Sequence, residues 1–368
     1  MPILLRRLAA AVSAPLRRSL CTARSRPPWA MVNVEVALDA SAGAPSPGAR
    51  ACFDLKAAPR ASQLSVPARF IDPRGDAVDF LLGIVRGASS DGLLLLDFLD
   101  TRHCPRSLHE LAAEGSLEQD VRLFVCNPLS GQLLRLPVPE DVTNGSTPFG
   151  LLTQSEGSHG PPDRYVVAQF SCQEGGNNKV VRRFLSETGQ WEDRPLVVAR
   201  PPTTQAERRM LLNREVLAFG DRLWWVDVTW GVCSVDPFSD RPELRFVELP
   251  DCSVLPAPPC VDGLAGSLIM SRPWVAAIDP FNANVVYLQH RAAAIAVDLA
   301  KAEVISRTTR PDKITCQMVR HSSLFHPCVL TSWLASSYIP GTLSSKKTNC
   351  ERKTLAEMLV RVDKGHKN

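Results

Sequence analysis

Short apolar runs separated by clusters of turn-forming residues follow one another along most of the chain from about residue 65. The runs are rich in Val, Leu, Phe and Trp, and the clusters are rich in Gly, Pro, Asn and Asp, which is typical of β-strands joined by tight turns. The clearest unit spans residues 80–137. It predicts a four-stranded antiparallel meander with strands at 80–86, 93–98, 121–126 and 132–136.

The same alternation recurs further along, and the predicted strands there are 165–170, 180–184, 215–219, 223–228, 231–235, 244–249, 274–278, 285–288, 293–297 and 304–306. Turns at Asn127, Ser186, Asp236 and Asp279 are spaced 59, 50 and 43 residues apart. A period of about 40–50 residues with four strands per unit is typical of β-propeller blades, which stack to bury both faces of each sheet. The pattern therefore predicts an all-β, propeller-like array over residues 65–339. The alternative is a β-sandwich or another all-β domain built from meanders.

The N-terminal segment differs from the rest of the chain. Residues 1–34 contain six Arg and no Lys, Asp or Glu, and their apolar residues at 4, 5, 8, 12 and 16 follow helical spacing. An amphipathic basic helix of this kind is typical of a mitochondrial transit peptide. The alternatives are a chloroplast transit peptide, or a basic tail on a cytosolic or nuclear protein.

Two further segments flank the predicted array. Residues 35–64 are predicted as a linker and an N-terminal strand, and residues 340–368 as a polar loop followed by a C-terminal segment. Leu355, Met358, Leu359 and Val362 fit one face of a short helix, and a last strand at 358–362 is the alternative.

Composition excludes several classes of protein. Of the 368 residues 45% are hydrophobic and 22% charged, as in a globular domain with a core. No apolar run approaches the roughly 18 residues of a membrane span. Outside residues 1–34 the chain has 36 basic and 38 acidic residues, so nothing predicts a nucleic-acid partner. The eleven Cys include no C-x-x-C pair and predict no disulfide framework.

Motifs that carry chemistry are absent from the sequence: it has no phosphate loop, dinucleotide fingerprint, nucleophile elbow or zinc-protease signature. We therefore assign no catalytic, cofactor-binding or metal-binding residue and predict no cofactor. The best metal candidates are His321, His326 and Cys328, which lack an evident fourth ligand. The acid pairs that could sit side by side as general acid and base are Asp76 with Asp79 and Asp97 with Asp100.

A tryptophan cluster is the most distinctive local feature. Trp224 and Trp225 are adjacent and Trp230 follows closely. On a strand, neighbouring side chains point to opposite faces, so one indole can fill the core while the other faces a neighbouring sheet or solvent. The cluster is therefore either core packing or a ligand- or peptide-binding surface.

Four stretches together resemble a large plant family of unknown function, domain of unknown function sixteen-eighteen, which is greatly expanded in grasses. They are residues 182–191, 215–250, 278–288 and 353–363, within a patchy resemblance over 29–365. The units at 121–137 and 215–250 are also similar to the kelch-like propeller domains associated with plant F-box proteins. The resemblance implies no established activity and no site residues. Related sequences carry another strand-rich segment where this chain has only residues 259–277, which predicts a shortened or absent blade.

These observations predict a non-catalytic scaffold that binds a protein or peptide, and not an enzyme. An open sheet edge left by the short segment would invite self-association. The alternatives are an organellar enzyme with an unrecognised pocket, and a degenerate family member without biochemical activity.

Overall fold

The fold of the chain was analysed in a computed structural model, which describes residues 27–39, 50–73, 80–100, 121–137, 148–155, 160–172, 179–198, 215–227, 231–248, 274–290, 293–309 and 325–341. Over these residues the chain forms 22 strands, one short α-helix and one 3₁₀ turn, and the strands assemble into four sheets. The predicted all-β class and the predicted four-stranded antiparallel sheets are confirmed. The helix that the structure describes is too short to cross a membrane.

The first sheet contains the meander that the sequence predicted. In chain order its strands are β1 (Trp29–Asn33), β2 (Glu35–Asp39), β3 (Cys52–Asp54), β4 (Ala61–Pro67), β5 (Leu81–Ala88), β6 (Leu94–Asp100), β7 (Val121–Cys126) and β8 (Leu133–Arg135). The strand order is β1-β4-β2-β5-β6-β7-β8, with β3 on β4, and α1 (Ala68–Ile71) follows β4. β5 to β8 are antiparallel, whereas β1 and β2 pair with β4 in parallel.

Three smaller sheets follow. The second comprises β9 (Gly150–Gln154), β10 (Arg164–Cys172), β11 (Lys179–Leu185) and β12 (Gln190–Pro195). The third comprises β13 (Val197–Val198), β14 (Glu215–Phe219), β15 (Arg222–Asp227), β16 (Gly231–Val235) and β17 (Glu243–Glu248), and β13 pairs with β17 in parallel. The fourth comprises β18 (Trp274–Asp279), β19 (Asn282–His290), β20 (Ala293–Asp298) and β21 (Glu303–Thr309).

Side-chain caps fix the turns between consecutive strands. The side-chain oxygens of Asn127, Asp236 and Asp298 each accept a hydrogen bond from the backbone N–H two residues on, at 2.9–3.1 Å. Each of these turns joins the third strand of a meander to the fourth. The Asp279 side chain accepts the same kind of hydrogen bond, from the backbone N–H of Phe281. Its turn, however, joins the first strand of its sheet to the second, so counting Asp279 with the other three turn positions was wrong. The equivalent turns at Asn127, Ser186, Asp236 and Asp298 are spaced 59, 50 and 62 residues apart.

Three hydrophobic clusters stack the sheets. The meander of the first sheet packs on one face of the second sheet through residues such as Phe124, Tyr165 and Phe184. The other face of the second sheet packs on the third sheet, where Val166 and Trp225 share a cluster. The fourth sheet packs against β1. The order of packing is therefore fourth, first, second, third. Over the described residues the stack is not seen to close into a ring, and the propeller itself stays a prediction.

The two ends of the described chain meet in the first sheet. β22 (Phe325–Val329) pairs antiparallel with β1, and the backbone N–H of Leu330 donates to the carbonyl of Pro28 at 2.7 Å. The 3₁₀ turn (Ser332–Ala335) then packs on the β5–β6 turn, where Thr331 Oγ1 donates to the carbonyl of Asp91 at 3.1 Å. Gly92 in this turn has a φ of +90°, and a Cβ there would lie 2.0 Å from the carbonyl oxygen of Val329. Only glycine fits this contact.

The predicted leader and linker overlap with this fold. Residues 1–26 lie outside the described part of the chain, but Ala30, Met31 and Val32 in β1 are completely buried. The folded body therefore begins inside the predicted leader at 1–34, and residues 35–64, predicted as a linker and one N-terminal strand, contain β2, β3 and the start of β4. The sequence did not show where the leader ends, because both a transit peptide and an apolar buried strand such as β1 lack acidic residues. Of the segment predicted at 340–368, only residues 340 and 341 are described, and the predicted helix or strand lies outside the described residues.

Candidate functional site

The two described metal candidates lie on β22, and because they are two residues apart on one strand they point to the same face of the first sheet. Cys328 is fully buried in the first cluster, and His326 hydrogen-bonds to the backbone of Val85. The pKa of His326 is lowered to about 4, chiefly by burial and also by the nearby Arg86, although the hydrogen bond to Val85 opposes this shift. Within the described ranges no three His, Cys, Asp or Glu side chains come together as metal ligands, and His321 lies outside those ranges.

The acid pair on β6 does not form. Asp97 and Asp100 are three residues apart on one strand, so they point to opposite faces of the sheet, which excludes the side-by-side arrangement that the sequence left open. Asp97 is buried and accepts a hydrogen bond from Arg86 Nε at 2.7 Å, which makes it half of an internal ion pair. The other pair, Asp76 and Asp79, lies outside the described residues.

A cleft of about 450 Å³ lies between the second and third sheets. Arg164 lies at its wall, and its guanidinium donates to Gln154 Oε1 at 2.7 and 2.9 Å and to Glu187 at 3.1 Å. The same guanidinium lies 4.8 Å from the ring centre of Phe238, in a cation–π contact. The Arg164 guanidinium is thus bound by side chains of the protein itself, and it does not face the cleft as an unpaired charge. The other lining residues are Leu152, Thr153, Ser155, Gly220, Asp221, Asp236 and Ser239.

The adjacent tryptophans separate as the sequence predicted. Trp225 is 1% exposed and packs in the cluster between the second and third sheets, and its Nε1 donates to the carbonyl of Pro148 at 2.9 Å. Trp224 points to the opposite face and is half-buried, and its Nε1 donates to the carbonyl of Phe219 at 3.1 Å. Trp225 therefore belongs to the core, whereas Trp224 belongs to a surface. Trp230 lies outside the described residues.

That surface is the outer face of the third sheet, which we define by the outward-pointing residues of β14 to β17. The strand register aligns Leu217, Trp224, Ser234 and Arg245 in one row across the sheet. The neighbouring rows on this face contain Phe219 with Arg222, and Val226 with Val232 and Val247. Leu217, Phe219 and Val247 are 51%, 75% and 56% exposed.

The four strands carry apolar residues at both even and odd positions. In β14 the inward residue Val216 is buried against the second sheet, whereas Leu217 points outward and is exposed. Strands that are apolar on both faces are typical of sheets covered on both sides. Only one face of the third sheet is covered by the second sheet, which leaves an apolar patch rimmed by polar residues. Such patches mark interaction surfaces in folded proteins.

Sequence reasoning singled out Trp224 and Trp225 but missed Leu217, Phe219 and Val247. The signal that could have found two of them was the pattern of β14, in which Leu217 and Phe219 are apolar on the side opposite the core, whereas β17 carries only Val247 among the charged residues of that side. That pattern alone cannot tell which of two apolar faces is covered, because the covering sheet is distant in sequence.

Comparisons with known proteins do not place this chain in a family. No protein-family model and no curated protein matches it. Among solved structures, apo AztD from Citrobacter koseri is similar to 66% of this chain, with 13% sequence identity and a TM-score of 0.21. The chain spans 48% of the length of that structure. A likeness this weak carries no argument about function, and the resemblance to the plant family stays a prediction.

Proposed function

We propose that the chain is a non-catalytic scaffold that binds another protein through the outer face of the third sheet. The observation that carries this proposal is the exposure of Leu217, Phe219 and Val247 around the half-buried Trp224. Aromatic side chains such as Trp and Phe are enriched at the centres of protein interfaces, and surrounding polar side chains form the rim. Here Glu243 and Arg245 of β17 supply polar side chains on the same face of the sheet.

We also propose that the sheets are blades of a propeller-like array. Three observations support this arrangement: the first three meanders stack face to face in chain order, β14 lies against both β5 and β9, and β1 pairs with β22, the last of the described strands. Pairing of the two chain ends within one sheet is a way of closing such an array, because it ties the last unit to the first. An experimental structure that shows two sheets packed as a sandwich would contradict this proposal.

Mitochondrial import remains part of the proposal, and it depends on the six Arg and the absence of acids in residues 1–34. The position of β1 adds a constraint. A leader removed after residue 34 would take β1 with it, so we propose that any processing occurs before Pro28, whose carbonyl accepts the hydrogen bond from Leu330.

Proximity labelling tests the scaffold proposal. The full chain is fused to a biotin ligase and compared with a Leu217→Ser/Val247→Ser variant in the same cells. Both substitutions lie on exposed positions, so the fold should survive. The matched control is Phe80→Ser/Tyr338→Ser, which changes two exposed residues, 47% and 65% accessible, away from the third sheet. We expect a set of labelled proteins to fall at least about tenfold in the first variant and to persist in the control. Equal labelling by all three proteins would overturn the proposal.

A further inference from the structure

The described part of the chain ends beside the third sheet. A Cβ at Gly341, the last described residue, would lie 2.6 Å from the carbonyl oxygen of Ser186, in the turn between β11 and β12 of the second sheet. Arg183, three residues before Ser186, donates to the carbonyls of Pro237 and Ser239 in the β16–β17 turn of the third sheet. The chain therefore leaves the described fold next to one end of the third sheet.

The residues that follow Gly341 carry a charge opposite to that of the third sheet. Residues 342–368, which we call the tail, contain seven Lys and Arg and three Asp and Glu, a net charge of +4. The third sheet, over 215–227 and 231–248, contains three basic and seven acidic residues, a net charge of −4. The fourth sheet, over 274–290 and 293–309, contains two basic and three acidic residues. Charge therefore favours the third sheet over the fourth as the surface that the tail meets.

The acidic residues are concentrated in the turns near Gly341. The β14–β15 and β16–β17 turns at this end of the third sheet contain three Asp and one Arg, and the Asp240 side chain is 95% exposed. The cations of the outer face are bound within the sheet. Arg222 donates to the carbonyls of Ser234 and Glu243 at 3.1 and 2.8 Å, and Arg245 pairs with Glu243. The first basic residues of the tail, at 346, 347 and 352, would thus meet acidic turns before the apolar part of the face.

The apolar residues of the tail fit that part of the face. Four of them are spaced i, i+3, i+4 and i+7, which places them on one side of a helix, and they are Leu355, Met358, Leu359 and Val362. A helix over 353–363 would be about 16 Å long, and the four strands of the face span about 15 Å. One short helix is therefore long enough to cover Leu217 and Val247, which are 51% and 56% exposed.

We propose that residues 353–363 form a helix that covers the outer face of the third sheet and competes there with the protein partner. This inference rests on the proposed function, because it names the regulation of the same face. The partner must displace the tail before it can bind, so the affinity that the partner shows is lower than the affinity of the bare face.

The tether makes a weak contact sufficient. Residues 342–352 can extend to about 36 Å, whereas stacked sheets lie about 10 Å apart, so the helix can reach the face. A helix this short forms little on its own in water, so it folds as it docks. Tethering gives it an effective concentration of about 1 mM at the face. If the helix covers about nine faces in ten, the apparent affinity for the partner falls about tenfold.

Photo-crosslinking of the purified full chain at low micromolar concentration tests the contact. A photoreactive phenylalanine analogue replaces Leu217 in one protein and Val304, which is 65% exposed in the fourth sheet, in the control. We expect position 217 to link to a peptide from residues 353–363 in protein that keeps the single-chain mass of 40.3 kDa. Position 304 should give that link at a yield about tenfold lower, because the helix is held near the third sheet. No such link from position 217, equal yields from both positions, or links only between copies would overturn the inference.

Two neighbouring substitutions test the helix itself. Leu359→Asp and Val360→Asp add the same charge, but Leu359 lies on the apolar side of the helix and Val360 lies about 100° further round. Leu359→Asp should lower the yield of the link from position 217 about tenfold, in line with the loss of an apolar contact, and Val360→Asp should leave it unchanged. Equal yields from the two variants overturn the inference. A larger loss with Val360→Asp, as a strand at 358–362 would give, also overturns it.

Proximity labelling separates this inference from the proposed function. Leu359→Asp should increase, by up to about tenfold, the labelling of those proteins that the Leu217→Ser/Val247→Ser variant loses, and Val360→Asp should not. Labelled partners without a link from position 217 to the tail keep the scaffold and overturn the inference. A link without any partner that depends on Leu217 and Val247 keeps the contact of the tail and overturns the proposed function. A link together with labelling that Leu359→Asp does not change overturns the competition.

Discussion

Trp225 and Pro148 are joined across the boundary between the third and second sheets, where the indole Nε1 donates to the Pro148 carbonyl at 2.9 Å. The indole is 1% exposed and lies in the cluster that holds the two sheets together. Its neighbour Trp224 bonds within its own sheet and contributes to the outer face. Of the two adjacent tryptophans, Trp225 therefore stabilises the contact between the sheets, whereas Trp224 forms part of the outer face.

Single substitutions should separate these two roles. Trp225→Ala removes a large buried side chain and leaves the Pro148 carbonyl without its donor, so we expect a loss of about 3–5 kcal/mol in the free energy of unfolding. Trp224→Ala should cost about 1 kcal/mol or less, because the ring is only half-buried. Chemical denaturation of both variants measures the difference. Equal and small losses would contradict the assignment of Trp225 to the core.

Arg183 and Arg182 offer a second comparison of neighbours. Arg183 is 1% exposed and donates to the carbonyls of Pro237 and Ser239, at 2.7 and 2.6 Å, and to Glu192. It thus fastens β11 of the second sheet to a turn of the third. Glu192 keeps its ion pair with Arg194, but Arg183→Ala leaves the two buried carbonyls without their donor, at an expected cost of about 1–3 kcal/mol each.

Arg182→Ala is the matched control for that substitution. Arg182 pairs with Asp193 at 2.8 Å on the more exposed side of the same strand, and partly exposed ion pairs contribute about 0–1 kcal/mol. Both variants should be followed by the same denaturation curve. If Arg182→Ala lowers the free energy of unfolding as much as Arg183→Ala does, the hydrogen bonds of Arg183 to the third sheet are not what stabilises this contact.

Much of the fold could be predicted because its strands obey local rules. Val121–Cys126, Glu215–Phe219 and Gly231–Val235 were predicted with the bounds that the structure gives them. β22 could not be predicted, since His326 and Pro327 interrupt its apolar pattern. Proline is tolerated there because β22 lies at the edge of the first sheet, where a missing N–H breaks no ladder on the open side.

The boundary of the N-terminal segment leads to a third prediction. Trp29, Met31 and Val32 are buried in β1, and burial of side chains of this size contributes about 1.5–3 kcal/mol each. Deletion of residues 1–34 removes all three. It should therefore remove most of the free energy of unfolding, which is about 5–15 kcal/mol for a typical domain. Deletion of residues 1–26 leaves β1 and Pro28 in place, and its melting temperature should match that of the full chain. Similar melting of both deletions would contradict the placement of β1.

The His326 ring provides a prediction about pH. Its pKa is lowered to about 4 in the folded chain, chiefly by burial, against an ordinary value of 6.5. The unfolded chain therefore binds the proton more readily between pH 6.5 and 4, and stability must fall as the pH falls through that window. The pKa shift corresponds to a loss of at most about 3 kcal/mol in the free energy of unfolding. Below about pH 4 the ring is protonated in both states, so it causes no further loss of stability.

A neutral substitution isolates this effect. His326→Gln keeps a hydrogen-bond donor but cannot take up a proton in this range, so other groups titrate alike in both proteins. The stability of the wild type relative to the variant should decrease from pH 7 to pH 4. The free energy of unfolding at several pH values measures it. A constant difference across that range would show that the ring is not held neutral by the fold.

The candidate site was only partly predictable, and the reason lies in tertiary packing. The alternation of Trp224 and Trp225 predicted that one indole would face outward. That Leu217, Phe219 and Val247 would join it as exposed residues depended on which face the second sheet covers. The covered face is the one that packs on Leu152, Val166 and Val181 of the second sheet. These residues lie some 35–95 residues away in sequence, so no local pattern shows which face of the third sheet they cover.

Photo-crosslinking in cells tests most directly the claim that the outer face binds protein. A photoreactive phenylalanine analogue is placed at Trp224 in one protein and at Tyr338, which is 65% exposed away from the third sheet, in another. The account predicts discrete covalent adducts of higher mass from position 224, their loss when Val247→Ser is added, and no such adducts from position 338. Adducts of equal yield at both positions, or none at position 224, would contradict it.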